Sequence, residues 1–331
     1  MDNGRIDVSD ERILLTGGAG FVGSYTAGLL QSLGHEVLLY DSFTSFLSPF
    51  HVNYAGNMER RFPKGEREFR IVRGDVRHRG LLQRTLEEFQ PTRVIHLAAL
   101  PIADVSNQFS EEAMENNLLA TVTLLDVVRS LSGVRRFVYT SSSMVYGDFQ
   151  HSPADEDHPK APKDLYGGTK LAGEVMVESY GRRFGIPYTV IRPSAVYGPT
   201  DVNRRVSQIF VENALRGEPL ILHNGGRSKL DFSHVRDVAD GFARATLAEQ
   251  SENRIYNITR GRGRSLREFA EIVAEHVPGT TIEEKDVEAF RPERGALSIE
   301  RARTELGFEP RIDLEEGIPE YVEFVRGTLS R

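Results

Sequence analysis

A tyrosine and a lysine stand four residues apart in the segment Tyr166-Gly-Gly-Thr-Lys170, a spacing that places both side chains on one face of a helix. A bare pair of this kind is usually a solvated surface contact. Here, however, two glycines interrupt the helix at a cost of about 1 kcal/mol each relative to alanine, and such a local violation is typical of a functional site. Ser142 lies 24 residues upstream, at the end of a predicted strand. The three side chains are therefore candidates for proton transfer.

The segment from Arg12 to Asp41 predicts a nucleotide-binding unit. A short apolar strand runs into four glycines, at positions 17, 18, 20 and 23. A helical pattern follows from Phe21 to Leu33, and a second apolar strand, Val37 to Tyr40, is followed by an acid. This order of strand, glycine turn, helix, strand and acid is the βαβ unit that binds a dinucleotide.

Each part of this unit has a physical role. Glycines let backbone N–H groups approach a pyrophosphate, and the start of the helix presents unpaired N–H donors and the positive end of its dipole. Asp41 lies 21 residues after Gly20, where an acid can accept hydrogen bonds from both ribose hydroxyls. Because a 2′-phosphate would meet this carboxylate directly, the sequence predicts NAD rather than NADP.

The rest of the chain predicts an α/β fold with a doubly wound parallel Rossmann sheet. Strands separated by helices at the observed spacing form parallel sheets. The predicted strands after the first unit are 69–72, 93–97, 136–139 and 188–191, and the predicted helices are 81–89, 111–130 and 165–184. Residues 100–110 show no periodicity and are predicted to form a loop, and His96 is interpreted as a core or strand-end histidine.

The regular alternation of predicted strands and helices changes after Pro199. Residues 254–258 predict a strand that could rejoin the large sheet. We therefore assign residues 1–192 and 231–258 to an NAD-binding Rossmann domain. Residues 193–230 and 259–331 are assigned to a smaller α/β substrate lobe over the strand ends, where ligands of open α/β sheets bind.

Composition limits the classes of protein that the chain can represent. The 331 residues are 39% hydrophobic and 27% charged, which is typical of a globular enzyme. No apolar run approaches the roughly 18 residues of a membrane span, and the first ten residues lack the apolar stretch of a signal peptide. The net charge of −7 argues against a nucleic-acid surface, and the absence of cysteine excludes disulfides and thiol catalysis. We expect a cytoplasmic protein.

The chain resembles the extended short-chain dehydrogenase/reductase family, and within it the NAD-dependent nucleotide-sugar epimerases and dehydratases. The resemblance runs from Ile13 to about Pro310 and depends on motifs that occur in the family's order. These are Thr16 to Gly23, Asp41, Gly74-Asp75, Leu97-Ala-Ala99, Ser141-Ser142 with Val145-Tyr-Gly147, Tyr166-x-x-x-Lys170, Arg192-Pro with Val196-Tyr-Gly-Pro199, and Asp231-Phe to Asp237-Val. Any one of them is weak, whereas the whole series is highly specific.

The resemblance implies a role for each matching residue. Tyr166 would be the catalytic base, Lys170 would lower its pKa and bind the nicotinamide ribose, and Ser142 would hydrogen-bond the reacting sugar oxygen. The implied NAD contacts are Gly17, Gly20, Phe21, Val22, Asp41, Asp75, Val76, Leu97, Ala98, Ala99, Asn116, Tyr166 and Lys170. The implied substrate contacts are Ser142, Ser143, Arg192, Ser207 and Arg291, the last on the diphosphate, and no metal is expected.

Three functions compete. The first is an NAD-dependent epimerase that oxidises C4 of a UDP-sugar transiently and returns the hydride to the other face. The second is a 4,6-dehydratase, decarboxylase or dehydrogenase/reductase of the same fold. Dehydratases need a base for the C5 proton, and relatives carry glutamate where this chain has Met144. A non-catalytic dinucleotide sensor ranks last, because Ser142, Tyr166 and Lys170 are all present.

The sugar is predicted from Arg192, which matches an arginine of the uronate epimerases. A guanidinium binds a carboxylate bidentately and stays charged, and Ala195 replaces an asparagine that uronate epimerases tend to lack. We therefore predict UDP-glucuronate, with UDP-glucose or UDP-galactose as the alternative. Neutral-hexose relatives also carry an arginine at this position. The alternative role of Arg192 is structural, in which it holds the loop through hydrogen bonds to backbone carbonyls. Leu230 stands where the family commonly has an arginine.

The predicted helix 111–130 is apolar on more than one side. Leu118, Val122 and Leu125 lie on one side, and Leu124, Val128 and Leu131 on another. One face can cover the sheet, while the other needs a second partner. We therefore predict a homodimer that forms through this helix and helix 165–184.

Overall fold

A computed structural model describes residues 11–47, 54–63, 68–286 and 292–329 of the protein. Within these residues a parallel sheet of seven strands forms the centre, in the spatial order β11-β6-β5-β4-β1-β2-β3. Its strands are β1 (Arg12–Thr16), β2 (Glu36–Asp41), β3 (Arg70–Arg73), β4 (Arg93–His96), β5 (Arg136–Thr140), β6 (Tyr188–Pro193) and β11 (Arg254–Ile258). The strand order reverses between β1 and β4, which is where open α/β sheets bind ligands.

Helices cover both faces of the sheet. They are α1 (Phe21–Ser32), α2 (Tyr54–Arg61), α3 (Arg79–Phe89), α4 (Ala103–Gln108), α5 (Ser110–Met114), α6 (Ala120–Val128), α7 (Leu165–Phe184), α8 (Val206–Arg216), α9 (Val235–Leu247), α10 (Leu266–His276), α11 (Glu300–Leu306) and α12 (Leu314–Leu329). Leu30 of α1, Phe242 of α9 and Leu306 of α11 pack in one core against the sheet. Leu124 of α6 and Val177 of α7 pack in the core on the other face. The central strands are therefore buried on both sides, which explains their nearly continuous apolar sequence.

A third core is formed by residues that follow β6 in the chain. Phe210 of α8, Phe269 of α10 and Ile318 of α12 meet there, together with Tyr197. Among the described residues, three short strand pairs lie outside the large sheet, formed by β7 (Val196–Tyr197), β8 (Leu220–His223), β9 (Lys229–Asp231), β10 (Ser233–His234), β12 (Gly263–Ser265) and β13 (Ile282–Lys285). Throughout the described ranges, no helix combines the length and apolarity that a membrane crossing requires.

The predicted fold class is confirmed, and the predicted helix 165–184 and strand 254–258 have the bounds of α7 and β11. Strand β11 rejoins the large sheet beside β6. The prediction of a loop at 100–110 is wrong, because α4 lies within it. The predicted helix 111–130 contains a π-helical turn at Glu115–Leu119, a wider turn that commonly occurs at functional sites.

Helix α7 begins close to the loop after β5. The carboxylate of Asp164 caps it by accepting a hydrogen bond from the N–H of Gly167 at 2.7 Å. A Cβ at Gly167 would lie 2.7 Å from the carbonyl oxygen of Met144, whereas a Cβ at Gly168 would meet nothing within 4 Å. The first glycine is therefore required by a close approach, and the second is not.

We expect the two glycines of α7 to respond oppositely to alanine. Gly168→Ala should raise the free energy of unfolding by about 0.5–1 kcal/mol, because alanine is the better helix former. Gly167→Ala should lower it by about 1–3 kcal/mol, because its methyl group overlaps the Met144 carbonyl. Urea denaturation of both variants measures the difference. Equal changes in the free energy of unfolding of the two variants would contradict the close approach of Gly167 to the Met144 carbonyl.

Candidate active site

One cavity lies along the strand ends at the switch between β1 and β4. All thirteen residues predicted to contact NAD line it, from Gly17 in the glycine turn to Lys170 on α7. The structure thus brings these residues together, while their individual contacts with NAD stay a prediction. Arg61, Asn203 and Arg205 also line this cavity.

The glycine turn has the shape that a pyrophosphate needs. Gly17 has φ +69°, and a Cβ there would lie 2.6 Å from the backbone nitrogen of Ala98, so only glycine is accommodated. Helix α1 begins after Gly20 without a side-chain cap, which leaves its first N–H groups available for an anion. The geometry of the turn and the helix start therefore fits the phosphates of a dinucleotide.

Asp41 is held at the end of β2 by two backbone donors. Its carboxylate accepts hydrogen bonds from the N–H groups of Ala19 at 3.0 Å and Phe43 at 2.8 Å. Burial raises the pKa of Asp41, while these two bonds and the charge of Arg61 lower it. The carboxylate is therefore fixed beside the glycine turn, where it suits a ribose.

Lys170 is buried between α7 and the sheet. Its Nζ donates to the carbonyl oxygen of Thr140 at 2.9 Å and lies 5.9 Å from the ring centre of Tyr166. Burial lowers the pKa of Lys170 to about 7, against the charge of Glu174, which raises it. The lysine thus lies within reach of both the strand end and the tyrosine.

Tyr166 is partly buried at the start of α7. Burial raises the pKa of its phenol, and the charge of Arg205 and a hydrogen bond with Ser142 lower it. Ser142 lies at the end of β5, where its hydroxyl also accepts a hydrogen bond from the N–H of Met144 at 3.2 Å. Tyr166 and Lys170 therefore line the cavity, and Ser142 lies beside Tyr166 without being a lining residue, an arrangement suited to moving a hydroxyl proton.

The prediction that Arg192 contacts the substrate is wrong. Its side chain is 0% exposed, and its Nε and Nη2 bind both oxygens of Glu174 at 2.8 and 2.7 Å. Its Nη1 donates to the Tyr146 hydroxyl at 2.8 Å and to the Glu156 carbonyl at 2.9 Å. The guanidinium therefore lies in the protein interior, where Glu174 on α7 pairs with its charge. The sequence alone did not indicate this partner.

The other predicted substrate contacts lie in different places. Ser143 is buried and donates to the Ser194 hydroxyl at 3.0 Å. Ser207 is buried in the first turn of α8, and neither serine is among the residues that line the cavity. Arg291 lies outside the described residues.

His96 is a core histidine, as interpreted from the sequence. Its ring nitrogens lie 2.7 Å from the Thr16 hydroxyl and 3.0 Å from the Thr121 hydroxyl, and burial lowers its pKa to about 3. In the part of the chain that the structure describes, no group of three or more His, Asp or Glu residues could hold a metal ion.

Sequence reasoning missed Arg61 at the cavity and Glu174 beneath it. Neither carried a local signal, because Arg61 follows an aperiodic segment and Glu174 reads as a helix-surface acid. Arg205 is the N-cap residue of α8. Its guanidinium lines the cavity and is one-third exposed.

Comparisons with known proteins agree with this geometry. Residues 13–259 match the profile of the "NAD dependent epimerase/dehydratase family". The UDP-glucose 4-epimerase of Mycolicibacterium smegmatis is 33% identical over 325 residues, which cover 95% of this chain and 98% of that protein.

Two solved structures have the same fold. The Thermus thermophilus UDP-glucose 4-epimerase in complex with NAD has a TM-score of 0.84 at 30% identity, covering 96% of this chain and 99% of that chain. The Bacillus cereus UDP-glucuronic acid 4-epimerase in complex with UDP-glucuronic acid and NAD has a TM-score of 0.87 at 24% identity, with the same coverage. The latter likeness shows the fold alone.

We expect Arg192→Met to destabilise the protein by about 3–5 kcal/mol, because it leaves the Glu174 carboxylate buried and unpaired. Arg182→Met is the matched control on α7, since Arg182 is 67% exposed and its pair with Glu178 should contribute less than about 1 kcal/mol. Urea denaturation measures both. Near wild-type stability of Arg192→Met, together with a raised KM for a uronate alone, would restore the predicted role of Arg192 in the substrate site.

Proposed function

The chain belongs to the NAD-dependent epimerase/dehydratase family, and we propose that it is a UDP-hexose 4-epimerase for a neutral sugar, interconverting UDP-glucose and UDP-galactose. NAD is the cofactor. The observation that carries the proposal is that Tyr166 and Lys170 line the NAD cavity together, with Ser142 beside Tyr166 and Lys170 bonded to the end of β5.

The chemistry follows from these residues. NAD, when bound, supplies the hydride acceptor that oxidation of C4 needs. Tyr166 takes the proton of the C4 hydroxyl, for which its phenol must ionise well below the usual pKa of about 10. Ser142 would hydrogen-bond the same sugar oxygen and orient it, and Lys170, which lines the cavity, would hold the nicotinamide ribose. Tyr166 then returns the proton when the hydride goes back to the other face of the sugar.

Met144 supports an epimerase over a 4,6-dehydratase. Its backbone N–H bonds the hydroxyl of Ser142, so its side chain belongs to the same turn as the catalytic serine. Dehydratases that the chain resembles have a glutamate at this position to remove the C5 proton. A thioether has no proton-accepting capacity of that kind, which counts against loss of the C5 proton and so against a 4,6-dehydratase.

The burial of Arg192 supports a neutral sugar over a uronate. The uronate prediction depended on a free guanidinium at this position, and the guanidinium binds Glu174 instead. The UDP-glucose 4-epimerase relatives at 30–33% identity favour the same substrate. UDP-glucuronate is the second candidate, because Arg205 supplies a partly exposed guanidinium in the cavity.

The homodimer also stays a proposal, as do the cytoplasmic location and the division into two domains. Exposed apolar side chains lie on the predicted interface helices, among them Leu119 on the π-helical turn and Val175 on α7, which are 55% and 53% exposed. Such a face supports a second copy as its partner.

We expect Tyr166→Phe to lower kcat by about 10²–10⁴-fold, since it removes the proton acceptor, while the ratio of bound NAD to protein stays near that of the wild type. Tyr180→Phe is the matched control, because Tyr180 lies on the same helix and bonds only Asp126 through its hydroxyl. Initial rates with UDP-galactose and the NAD content of purified protein measure the two effects. A fully active Tyr166→Phe would remove the proposed base.

Incubation with UDP-glucose, UDP-galactose and UDP-glucuronate, with products resolved by NMR, tests the sugar. We expect kcat/KM to be highest for the neutral pair, with no net NADH and no 4-keto-6-deoxy sugar. Arg205→Gln is assayed in parallel on both kinds of sugar. A preference for UDP-glucuronate that Arg205→Gln abolishes would establish the second candidate, and NADH formed in step with product would identify a dehydrogenase.

A further inference from the structure

We propose that Arg61 is a cofactor-retention residue, which bridges the wall of the NAD cavity and slows the release of NAD. Its guanidinium donates from Nη1 to the carbonyl of Ala19 at 2.9 Å and from Nη2 to the carbonyl of Thr200 at 2.5 Å. Ala19 belongs to the glycine turn that fits the pyrophosphate, whereas Thr200 belongs to the segment between β7 and α8. One side chain thus joins two segments that are 181 residues apart in the sequence.

The position of Arg61 is suited to this role. It is the last residue of α2, is 9% exposed, and lines the same cavity as Gly17, Gly20 and Asp41. Its charge also lowers the pKa of Asp41 against the effect of burial, which favours the ionised carboxylate that accepts hydrogen bonds from a ribose. The bridge therefore lies at the adenosine side of the cavity and not beside the reacting sugar.

The segment at the far end of the bridge has a backbone that needs outside support. Thr200 has φ +71°, a left-handed conformation that is costly for a β-branched residue. The hydrogen bond from Arg61 holds its carbonyl, and the hydroxyl of Tyr25 holds the preceding carbonyl of Pro199 at 3.2 Å. Without the bridge, this segment loses its direct tie to the glycine turn.

The shape of the guanidinium matters as well as its charge. Arginine presents several N–H donors in a rigid fork, whereas the ammonium group of lysine is a compact point charge. Lysine at position 61 would keep a positive charge near Asp41 but would not reproduce two fixed hydrogen bonds to separate carbonyls. The lysine variant therefore separates the bridge from simple charge attraction.

The test is the rate at which purified protein releases NAD, followed as NADH after trapping released NAD with alcohol dehydrogenase and ethanol. We expect Arg61→Met and Arg61→Lys each to accelerate release at least tenfold, which corresponds to about 1.4 kcal/mol. Arg60→Met is the matched control and should leave the rate unchanged, because Arg60 bonds the carbonyl of Gly327 and lies over the ring of Phe324. Circular dichroism confirms that each variant folds.

Three results would overturn the proposal. An unchanged rate in Arg61→Met would show that the side chain does not retain NAD. A wild-type rate in Arg61→Lys would assign retention to charge alone. Acceleration by Tyr25→Phe equal to that of Arg61→Met would assign retention to the anchoring of the 199–200 segment, since the Tyr25 hydroxyl bonds Pro199 whereas Arg61 bonds Ala19 as well as Thr200. None of these outcomes depends on which sugar the protein uses, because the readout is the cofactor.

Discussion

The ion pair between Arg192 and Glu174 is the interaction on which the position of α7, the helix of the proposed catalytic tyrosine and lysine, depends. Arg192 lies on β6 and Glu174 on α7, and both are almost fully buried. The hydroxyl of Ser141, at the end of β5, donates to the same carboxylate. Tyr146 accepts from Arg192 and donates to Asn257 on β11 at 2.7 Å. A single network therefore fixes α7 to three neighbouring strands of the sheet.

Such a pair is a poor source of stability, because taking two charges out of water costs about as much as their attraction returns. The pair instead affects the position of Tyr166 and Lys170 and the charge of Lys170. Glu174 lies one turn after Lys170 and two turns after Tyr166, so that the network sets the height of both catalytic side chains against the strand ends. The carboxylate also opposes the effect of burial on Lys170, whose pKa is lowered to about 7. Helix α7 thus couples the ion pair of Arg192 and Glu174 to the proposed catalytic residues Tyr166 and Lys170.

Local patterns were enough to predict the fold and most of the cavity. The glycine turn, the strand that ends at Asp41 and the capped helix after Asp164 depend on neighbours in the sequence, so periodicity and spacing were enough to predict them. Arg192 was misassigned because its partner, 18 residues away on another element, decides whether it faces the substrate or the core. Arg61 was missed for the same reason, since its two acceptors are 42 and 139 residues away.

Burial acts on the two catalytic side chains in opposite directions. It raises the pKa of the Tyr166 phenol and lowers that of the Lys170 ammonium group, because a dry environment disfavours either charge. Burial thus opposes a phenolate and an ammonium group side by side, while the charge of Glu174 favours the charged form of Lys170. The charge of Arg205 and a hydrogen bond with Ser142 lower the pKa of the phenol against the effect of burial. The effect of burial on the phenol is thus opposed by a charge at the start of α8 and by a hydroxyl after β5, both outside the helix α7 that carries the tyrosine and the lysine.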